Sequence, residues 1–260
     1  METVQKETPL EGNTITMQMP DGNKVTLRET NGADEEFMQR ESQKTDGLLG
    51  LHGLLAKIVT KIEGHTGPIT LEVIKKQKSR NLYFMLFLMR VHSLGPEVKF
   101  EYHWPDMQGP NTYSENLEQY LPAYDEKKDD EEYYKYAILP YPDGATLSKE
   151  LMLASNKKIR YSYLTGDAES KILELSEDKQ NVESELFKAR NMQFEVNSKW
   201  QDIKSFHQFS SRDMAEIRAD VEKYDGAFQG MTDVSHPHNP ALITQVTLVQ
   251  SRNFFFPVGL

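Results

Sequence analysis

One order of features occurs twice along this chain of 260 residues. In its first copy, residues 14–19 alternate and carry β-branched side chains, residues 20–23 read Pro-Asp-Gly-Asn, and residues 25–28 resume an extended pattern. Two extended runs around such a turn predict a β-hairpin. Gly32 then marks a corner that precedes acidic residues. Because acidic side chains interact favourably with the first turn of a helix, we predict that a helix begins there.

The second half repeats this order with a longer loop. We predict a strand over residues 133–139, a Pro-Asp-Gly turn within residues 141–144 and a returning strand over residues 158–164. Residues 147–156 are interpreted as an insertion between the two strands. Another glycine corner with acidic residues follows at Gly166, and it predicts a second helix start.

The two copies suggest a duplicated module. In this comparison Gly22 corresponds to Gly144, and Gly32 corresponds to Gly166. A turn, a strand, a glycine corner and an acidic helix start that recur in the same order favour duplication. The alternative is that two unrelated hairpins share favoured turn chemistry.

The rest of the chain mixes helical and extended patterns. The clearest helix start is Ser210, because its spacing to Asp213 is that of a capping box. Apolar spacing predicts helices over residues 47–62 and 210–225, and further helices are expected over residues 71–89 and, from composition, 181–190. Residues 192–196 could extend the last of these or form a strand. Alternation predicts a strand over residues 98–104, and a strand is also expected over residues 242–249. The predicted fold class is α+β: two related modules of a β-hairpin plus helix, with small mixed or antiparallel sheets and packed helices.

Three segments are expected along the chain. Residues 1–124 form an N-terminal hairpin-helix module, residues 125–132 an acidic linker, and residues 133–260 a C-terminal module with an aromatic tail. The longest apolar run, residues 82–89, is far shorter than the roughly 20 residues of a membrane-spanning helix. We therefore expect it to lie in the core of a helical region.

Composition excludes several classes of function. A net charge of -10 argues against a main task of covering nucleic acid phosphates or anionic lipid. The chain contains no cysteine, which excludes disulfides, thiolate catalysis and every zinc site that needs cysteine ligands. The polar N-terminus carries no signal-peptide pattern, so secretion by the general route is not expected.

Two histidines form the only candidate metal site. His236 and His238 lie close together around Pro237, and these two, or three with His103, could hold a metal if a carboxylate such as Asp233 joined them. A proline-containing histidine loop is more often a surface turn, and no second ligand pair has the spacing of a metal site. The prediction is therefore no bound metal and no cofactor.

No pattern of catalytic residues emerges. The chain has no phosphate-binding glycine loop, no paired-histidine zinc helix and no nucleophile elbow. Asp167, Glu169 and Asp213 could act as paired acids only if the fold brought them together. Each already has a local explanation as a helix-start residue. We therefore predict no catalytic site and a protein that is not an enzyme.

The C-terminus carries the strongest candidate for contact with a partner. Phe254, Phe255 and Phe256 are followed by Pro257. Burying each phenylalanine is worth roughly 2–3 kcal/mol, so these rings should dock either on this chain or on another protein. Aromatic side chains dominate interface energetics, and we predict that residues 254–257 bind a partner.

Several segments together are similar to one protein family. Residues 164–169 read Leu-Thr-Gly-Asp-Ala-Glu, residues 209–218 read Phe-Ser-Ser-Arg-Asp-Met-Ala-Glu-Ile-Arg, and residues 254–257 read Phe-Phe-Phe-Pro. With the Pro-x-Gly hairpin, these segments resemble the baseplate hub and hub-assembly proteins of contractile-tailed, T-even-like bacteriophages. Many relatives carry Cys-x-x-Cys knuckles where this chain has residues 103–106 and 236–238. The chain would therefore be a cysteine-free, divergent member.

The resemblance implies a structural component of the phage tail baseplate, in the hub or next to it. Its partners would be hub, tube or tape-measure proteins, and it would be made in the host cytoplasm and located in the virion. Two alternatives stay open: an assembly chaperone that is absent from the mature virion, and an unrecognised metal-binding protein or enzyme. Neither nucleic acid nor a membrane span is expected.

Overall fold

A computed structural model describes residues 13–41, 47–122, 137–141, 148–173, 187–203, 206–225, 231–249 and 254. In the first half, the strands are β1 (Thr14–Gln18), β2 (Lys24–Arg28), β3 (Val59–Ile62), β4 (Glu97–Tyr102) and β5 (Asn111–Asn116). The helices there are α1 (Gly32–Glu41), α2 (Gly47–Ile58), α3 (Leu71–Lys75) and α4 (Ser79–Leu94), followed after β5 by a 3-10 helix at Leu117–Tyr120.

The second half has a similar series of elements. Its strands are β6 (Ser148–Met152), β7 (Lys158–Ser162), β8 (Gln193–Val196), β9 (Lys199–Asp202), β10 (Met231–His236) and β11 (Asn239–Thr247). Its helices are α5 (Gly166–Leu173) and α6 (Ser211–Asp225), with a 3-10 helix at Phe206–Gln208. The described strands form four antiparallel sheets: β1-β2-β3, β4-β5, β6-β7-β8-β9 and β10-β11. The predicted α+β class is confirmed.

The two halves repeat their elements at a constant offset in the sequence. The same offset separates the first residues of five element pairs: β1 and β6, β2 and β7, β3 and β8, β4 and β10, and α1 and α5. The two hairpin turns also share their hydrogen bonds: Met19 N–H donates to Asn23 O at 2.8 Å, and Leu153 N–H donates to Lys157 O at 2.9 Å. The predicted recurrence of hairpin, corner and helix is therefore observed.

The predicted register of the second hairpin is wrong. At the offset that relates the strands, Gly22 corresponds to Asn156, not to Gly144, whereas Gly32 and Gly166 correspond as predicted. Gly22 has φ 90° and Asn156 has φ 61°. Asparagine is one of the few residues other than glycine that adopts the left-handed region at low cost, so the turn closes without a Pro-Asp-Gly signal.

The supposed insertion is in fact a strand. Residues 148–152, placed inside the predicted insertion, form β6 and pair with β7 from Ser148 opposite Ser162 to Met152 opposite Lys158. Residues 137–139 of the predicted strand 133–139 are not extended in a sheet. Residues 133–136, the Pro-Asp-Gly turn at 142–144 and the predicted linker at 125–132 lie outside the described residues.

Two predicted helices are shorter than expected. The helix predicted over residues 47–62 ends at Ile58, because residues 59–62 pair with β2 as strand β3. The helix predicted over residues 71–89 is divided into α3 and α4 by Lys78, whose ψ of 147° is extended. Lys78 forms an isolated antiparallel bridge with Thr165. Most of the helix predicted over residues 181–190 lies outside the described residues.

Two hydrophobic clusters fill the described interior. The larger contains the sheet β1-β2-β3, helices α2 and α4, and both two-stranded ribbons, including Val234 and Leu248 from the second half. The smaller cluster joins the sheet β6-β7-β8-β9 to α6 through residues such as Ile159 and Ile217. Residues 82–89 are buried in the larger cluster except for the half-buried Tyr83. None of the helices described is long and apolar enough to cross a bilayer.

The paired corners Gly32 and Gly166 provide a matched test of this packing. A methyl group on Gly166 would lie 2.6 Å from Leu82 Cδ1 and 2.9 Å from His52 Cε1, whereas one on Gly32 would meet nothing within 4 Å. Leu82 and His52 are buried and have little room to move. In urea unfolding, we expect Gly166→Ala to lower the unfolding free energy by about 1–3 kcal/mol. Gly32→Ala should leave the unfolding free energy unchanged or raise it by up to about 1 kcal/mol. Equal losses would contradict the two environments described.

Candidate functional site

The C-terminal aromatic segment begins inside the core. Phe254 is fully buried, and its ring centroid lies 5.3 Å from that of Phe87, which also packs on Tyr120 at 5.0 Å. Phe254 follows Tyr120 at the same sequence offset as the other paired positions. Phe254 is thus a core residue and not a surface anchor. Residues 255–257 lie outside the described residues, and their contact with a partner stays a prediction.

His236 is buried, and both of its ring nitrogens have partners. Its Nδ1 accepts the backbone N–H groups of His238 and Asn239, each at 3.1 Å. In the neutral ring the proton therefore lies on Nε2, which donates to Asp106 Oδ1 at 3.2 Å. The ring of Trp104 packs against it edge to face at 4.9 Å. His236 is a structural link between a loop of the first half and β10.

This geometry does not fit the alternative metal site. A histidine ligand needs a free lone pair, and the Nδ1 lone pair of His236 is already occupied. The other two candidates have their own partners: Asp233 Oδ1 accepts from Gln245 at 3.2 Å, and His103 Nε2 lies 3.1 Å from the Met107 carbonyl. Across the described ranges, no three His, Asp or Glu residues are grouped so that they could hold a metal ion.

The two ribbons are bound to each other by side chains of the first half. The hydroxyl of Tyr113 accepts from Trp104 Nε1 at 2.8 Å and donates to the Ser235 carbonyl at 3.1 Å. The hydroxyl of Tyr120 donates to the Met231 carbonyl at 3.3 Å. The Tyr113 bond connects β5 with β10 directly, and the Tyr120 bond connects the 3-10 helix that follows β5 with the first residue of β10.

A buried ion pair lies in the second half. Arg190 Nε donates to Asp225 Oδ2 at 2.9 Å, and the same carboxylate oxygen accepts the backbone N–H of Leu164 at 2.8 Å. Both side chains are buried. Burial raises the pKa of the Asp225 carboxyl, and the guanidinium of Arg190 opposes this effect. The pair is satisfied by these hydrogen bonds, as a buried charge must be.

The segment from Leu164 to Gly166, whose Leu164 N–H donates to the carboxylate of this ion pair, docks on the first half. Ser79 N–H donates to the Leu164 carbonyl at 2.9 Å, and Gly166 N–H donates to the Gln77 carbonyl at 3.1 Å. Between these bonds, the ammonium of the buried Lys78 lies 4.3 Å from the ring centroid of Tyr141 and 4.7 Å from that of Tyr163. The name junction is used for these residues together with the ion pair of Arg190 and Asp225, which holds Leu164 in place.

Glu169 lies at the edge of the junction. Burial raises the pKa of its carboxyl to about 7, although a hydrogen bond with the Ser79 side chain acts in the opposite direction. The negative charge of Asp225 raises the pKa further, and the positive charge of Arg190 lowers it. Glu169 is therefore a titratable group between the two halves.

The three candidate acids have separate roles. Asp213 and Ser210 form the predicted capping box, with Asp213 Oδ2 accepting Ser210 N–H at 3.0 Å and Ser210 Oγ accepting Asp213 N–H at 3.1 Å. The pKa of the Asp213 carboxyl is lowered to about 2, chiefly by a hydrogen bond from the Ser155 side chain and next by the hydrogen bond from the Ser210 N–H. Asp167 pairs with Lys171 on the surface of α5. Of the three acids, only Glu169 lies beside the junction.

Sequence reasoning missed most of the junction. Lys78, Arg190 and Asp225 lie in polar stretches that read as solvated surface, and no spacing rule connects them. A hint for Asp225 is its place at the end of a strongly predicted helix, where a negative charge is unfavourable unless it has a partner.

An exposed apolar edge lies on β11. The side chains of Leu242 and Ile243 are 46% and 56% exposed. Ser235 is opposite Ile243 and His236 is opposite Asn239, so residues 240–242 bulge out of the ladder. Among the described strands, β11 pairs only with β10, which leaves its outer edge without a strand partner. Residues 234–251 contain no Asp, Glu, Lys or Arg.

The burial of Phe254 makes a prediction about stability. We expect Phe254→Ala to lower the unfolding free energy by about 3–5 kcal/mol, because it removes a ring from a packed core. Met152→Ala, at a side chain that is 59% exposed, should stay within about 0.5 kcal/mol of the parent chain. Chemical unfolding measures both. A neutral Phe254→Ala would show that this ring does not support the core.

Glu169 makes the stability dependent on pH. Its folded-state pKa of about 7 exceeds the usual 4.5, so the folded state binds the proton more tightly. The resulting stabilisation of the folded state is complete below pH 4.5, the usual pKa, and is lost as the pH rises through about 7. The unfolding free energy of Glu169→Gln, compared with that of the parent chain, should therefore rise by up to about 3 kcal/mol as the pH increases from about 5 to about 8. Asp167→Asn, whose parent carboxyl has a lowered pKa, should show no such gain in the same unfolding series.

No protein-family model, no curated protein and no solved structure matches this chain. The phage-baseplate relationship therefore stays a prediction from the sequence resemblance.

Proposed function

We propose that this chain is a non-catalytic assembly protein that acts through contacts with other proteins. The observation that carries the proposal is the exposed edge of β11. Leu242 and Ile243 lie on a strand without a charged residue, in a chain in which 27% of the residues are charged. Natural proteins protect exposed strand edges with charges, prolines or bulges, and β11 has the last two, at Pro240 and residues 240–242, but no charge. Its exposed apolar side chains are therefore a surface suited to contact with another protein.

The junction supports a scaffold role. The two halves are joined by backbone hydrogen bonds and by the cation of Lys78 between two tyrosine rings, and a buried ion pair within the second half holds Leu164 at this contact. Such directional contacts stabilise one relative orientation of the packed elements. A defined orientation is what a subunit needs if it presents surfaces to several neighbours.

The sequence resemblance supports the place of action. We propose that the chain is a structural component of a contractile phage tail baseplate, in the hub or next to it, with tube, hub or tape-measure proteins as neighbours. In this proposal the protein is made in the host cytoplasm and incorporated into the virion.

A mass-spectrometric inventory of purified particles tests this proposal. We expect the chain in washed particles at a fixed ratio to known baseplate subunits. Abundance in the infected lysate together with absence from particles would contradict the structural role and identify an assembly chaperone.

The contact surface can be tested in the same preparation. The double variant Leu242→Asp with Ile243→Asp should be incorporated at least tenfold less, because two carboxylates cannot be buried in an apolar contact. Met152→Asp is the matched control, since Met152 is equally exposed at the end of another edge strand. Equal incorporation of both variants would show that β11 is not the contact surface.

A further inference from the structure

Two cavities adjoin at the segment that leads into β8. The first lies between α5 and this segment, and its volume is about 380 Å³. The second lies between the same segment, the end of β9 and the 3-10 helix that begins at Phe206, and its volume is about 230 Å³. Lys188 and Asn191 line both cavities. The two cavities together are called the groove below.

The first half has apolar side chains at the positions that correspond to the two lysines of the groove. At the offset that relates the two halves, Phe37 corresponds to Lys171. Leu54 corresponds in the same way to Lys188 and is buried. The ring of Phe37 lies so close to α2 that a methyl group on Gly53 would be 2.8 Å from its Cζ. The second half therefore has two cations beside a cavity where the first half has an apolar helix contact.

The polar end of the groove is positively charged. Its lining contains the ammonium groups of Lys171 and Lys188 and one carboxylate, that of Asp167. Lys171 Nζ lies 2.5 Å from Asp167 Oδ2, and this hydrogen bond, with the nearby charge of Lys75, lowers the pKa of the Asp167 carboxyl. Three cations thus outnumber this carboxylate on a chain whose net charge is -10. An ammonium has three N–H donors, so it can bind an anion in addition to an existing partner.

The other end of the groove is apolar. The rings of Phe187 and Phe206 meet there with their centroids 5.0 Å apart. Met192 and Ile203, both buried, contribute to the same wall. Because a cavity of about 150 Å³ can hold benzene, this end has room for an aromatic ring or a branched aliphatic group.

One carboxylate also lines the apolar end. Asp202 Oδ1 accepts a hydrogen bond from Gln193 Nε2 at 2.6 Å. Its negative charge disfavours an acidic group of a ligand beside it. Lys188, which lines both cavities, is therefore the place where such a group would be stabilised.

We propose that the groove binds a small amphipathic anion, a carboxylic acid whose aromatic or branched aliphatic group packs on Phe187 and Phe206 and whose carboxylate bonds to Lys188. The two cavities together have the volume of a small-molecule site, which is typically about 300–1,000 Å³. No residue of the groove belongs to β11, so this site goes beyond the proposed assembly contact and does not depend on it.

Binding of 3-phenylpropionate to the full chain, followed by ligand-observed NMR, tests the proposal. We expect saturable binding with a dissociation constant on the order of 1 mM, which is usual for a compound of this size. The neutral 3-phenylpropanamide and the ring-free propionate should each bind at least about threefold more weakly, because each lacks one of the two contacts. Absence of saturable binding, or equal binding of the acid and the amide, would overturn the proposal.

Variants show whether the compound lies in the groove. Lys188→Glu should weaken the binding of 3-phenylpropionate at least about fivefold, because it opposes the carboxylate. The matched control is Lys99→Glu, at a side chain that is 69% exposed on β4, and it should bind as the parent chain does. Both lysines are exposed, and circular dichroism confirms that each variant is folded. Unchanged binding in Lys188→Glu would place the compound elsewhere and overturn the proposal.

A second variant tests the apolar end. Phe206→Ala should weaken the binding of 3-phenylpropionate at least about threefold, because it removes one of the two rings that the ligand contacts. Binding of propionate should change less, since propionate has no ring to place there. Equal binding of 3-phenylpropionate by the folded variant and the parent chain would show that its ring does not lie against Phe206, which overturns the proposed arrangement.

This proposal and the proposed function can fail separately. If the chain binds the acid through Lys188 but is absent from particles, the groove stands and the role as a virion subunit is wrong. If the chain is present in particles but does not bind the acid, only the groove is wrong.

Discussion

The carboxylate of Asp225 connects three segments of the second half, and one of these segments is bonded to the first half. It accepts the guanidinium of Arg190 and the backbone N–H of Leu164. The carbonyl of Leu164 in turn accepts Ser79 N–H from the start of α4. A buried charge is tolerated only where every hydrogen-bonding position is filled, so this ion pair holds the end of α6, residue 190 and the exit of β7 at one place. The docking of α5 beside α2, α3 and α4 depends on that arrangement.

The duplicated modules share a backbone plan but use different side chains. Gly22 and Asn156 close the same turn, and Ser93 and Asp225 accept the backbone N–H groups of Thr30 and Leu164 at corresponding corners. The packing differs more than the plan does. Among the described residues, the second ribbon, β10-β11, buries Val234 in the core of the first half and contributes nothing to the cluster of the second sheet and α6. One module thus uses the other to complete its burial.

In this packing, two residues that the sequence offered as functional candidates have structural roles. His236 binds two backbone N–H groups and Asp106, because β10 must close against the loop that follows β4. Phe254 packs beside Phe87 in the larger hydrophobic cluster. What the ribbon leaves outside is its far edge, and that edge is where the proposed contacts with other proteins lie.

Local sequence determined the parts of this fold that depend on neighbouring residues. The first hairpin, the helix starts at Gly32 and Gly166 and the capping box of Ser210 with Asp213 all follow from turn, dipole and capping chemistry within a few residues. Strand β6 and the change from α2 to β3 at Val59 were decided by pairing with strands elsewhere in the chain. The ion pair of Arg190 with Asp225, the burial of Phe254 and the open edge of β11 likewise exist only in the tertiary structure. No local pattern encodes them, because each depends on which residues distant in sequence are brought together and which are left uncovered.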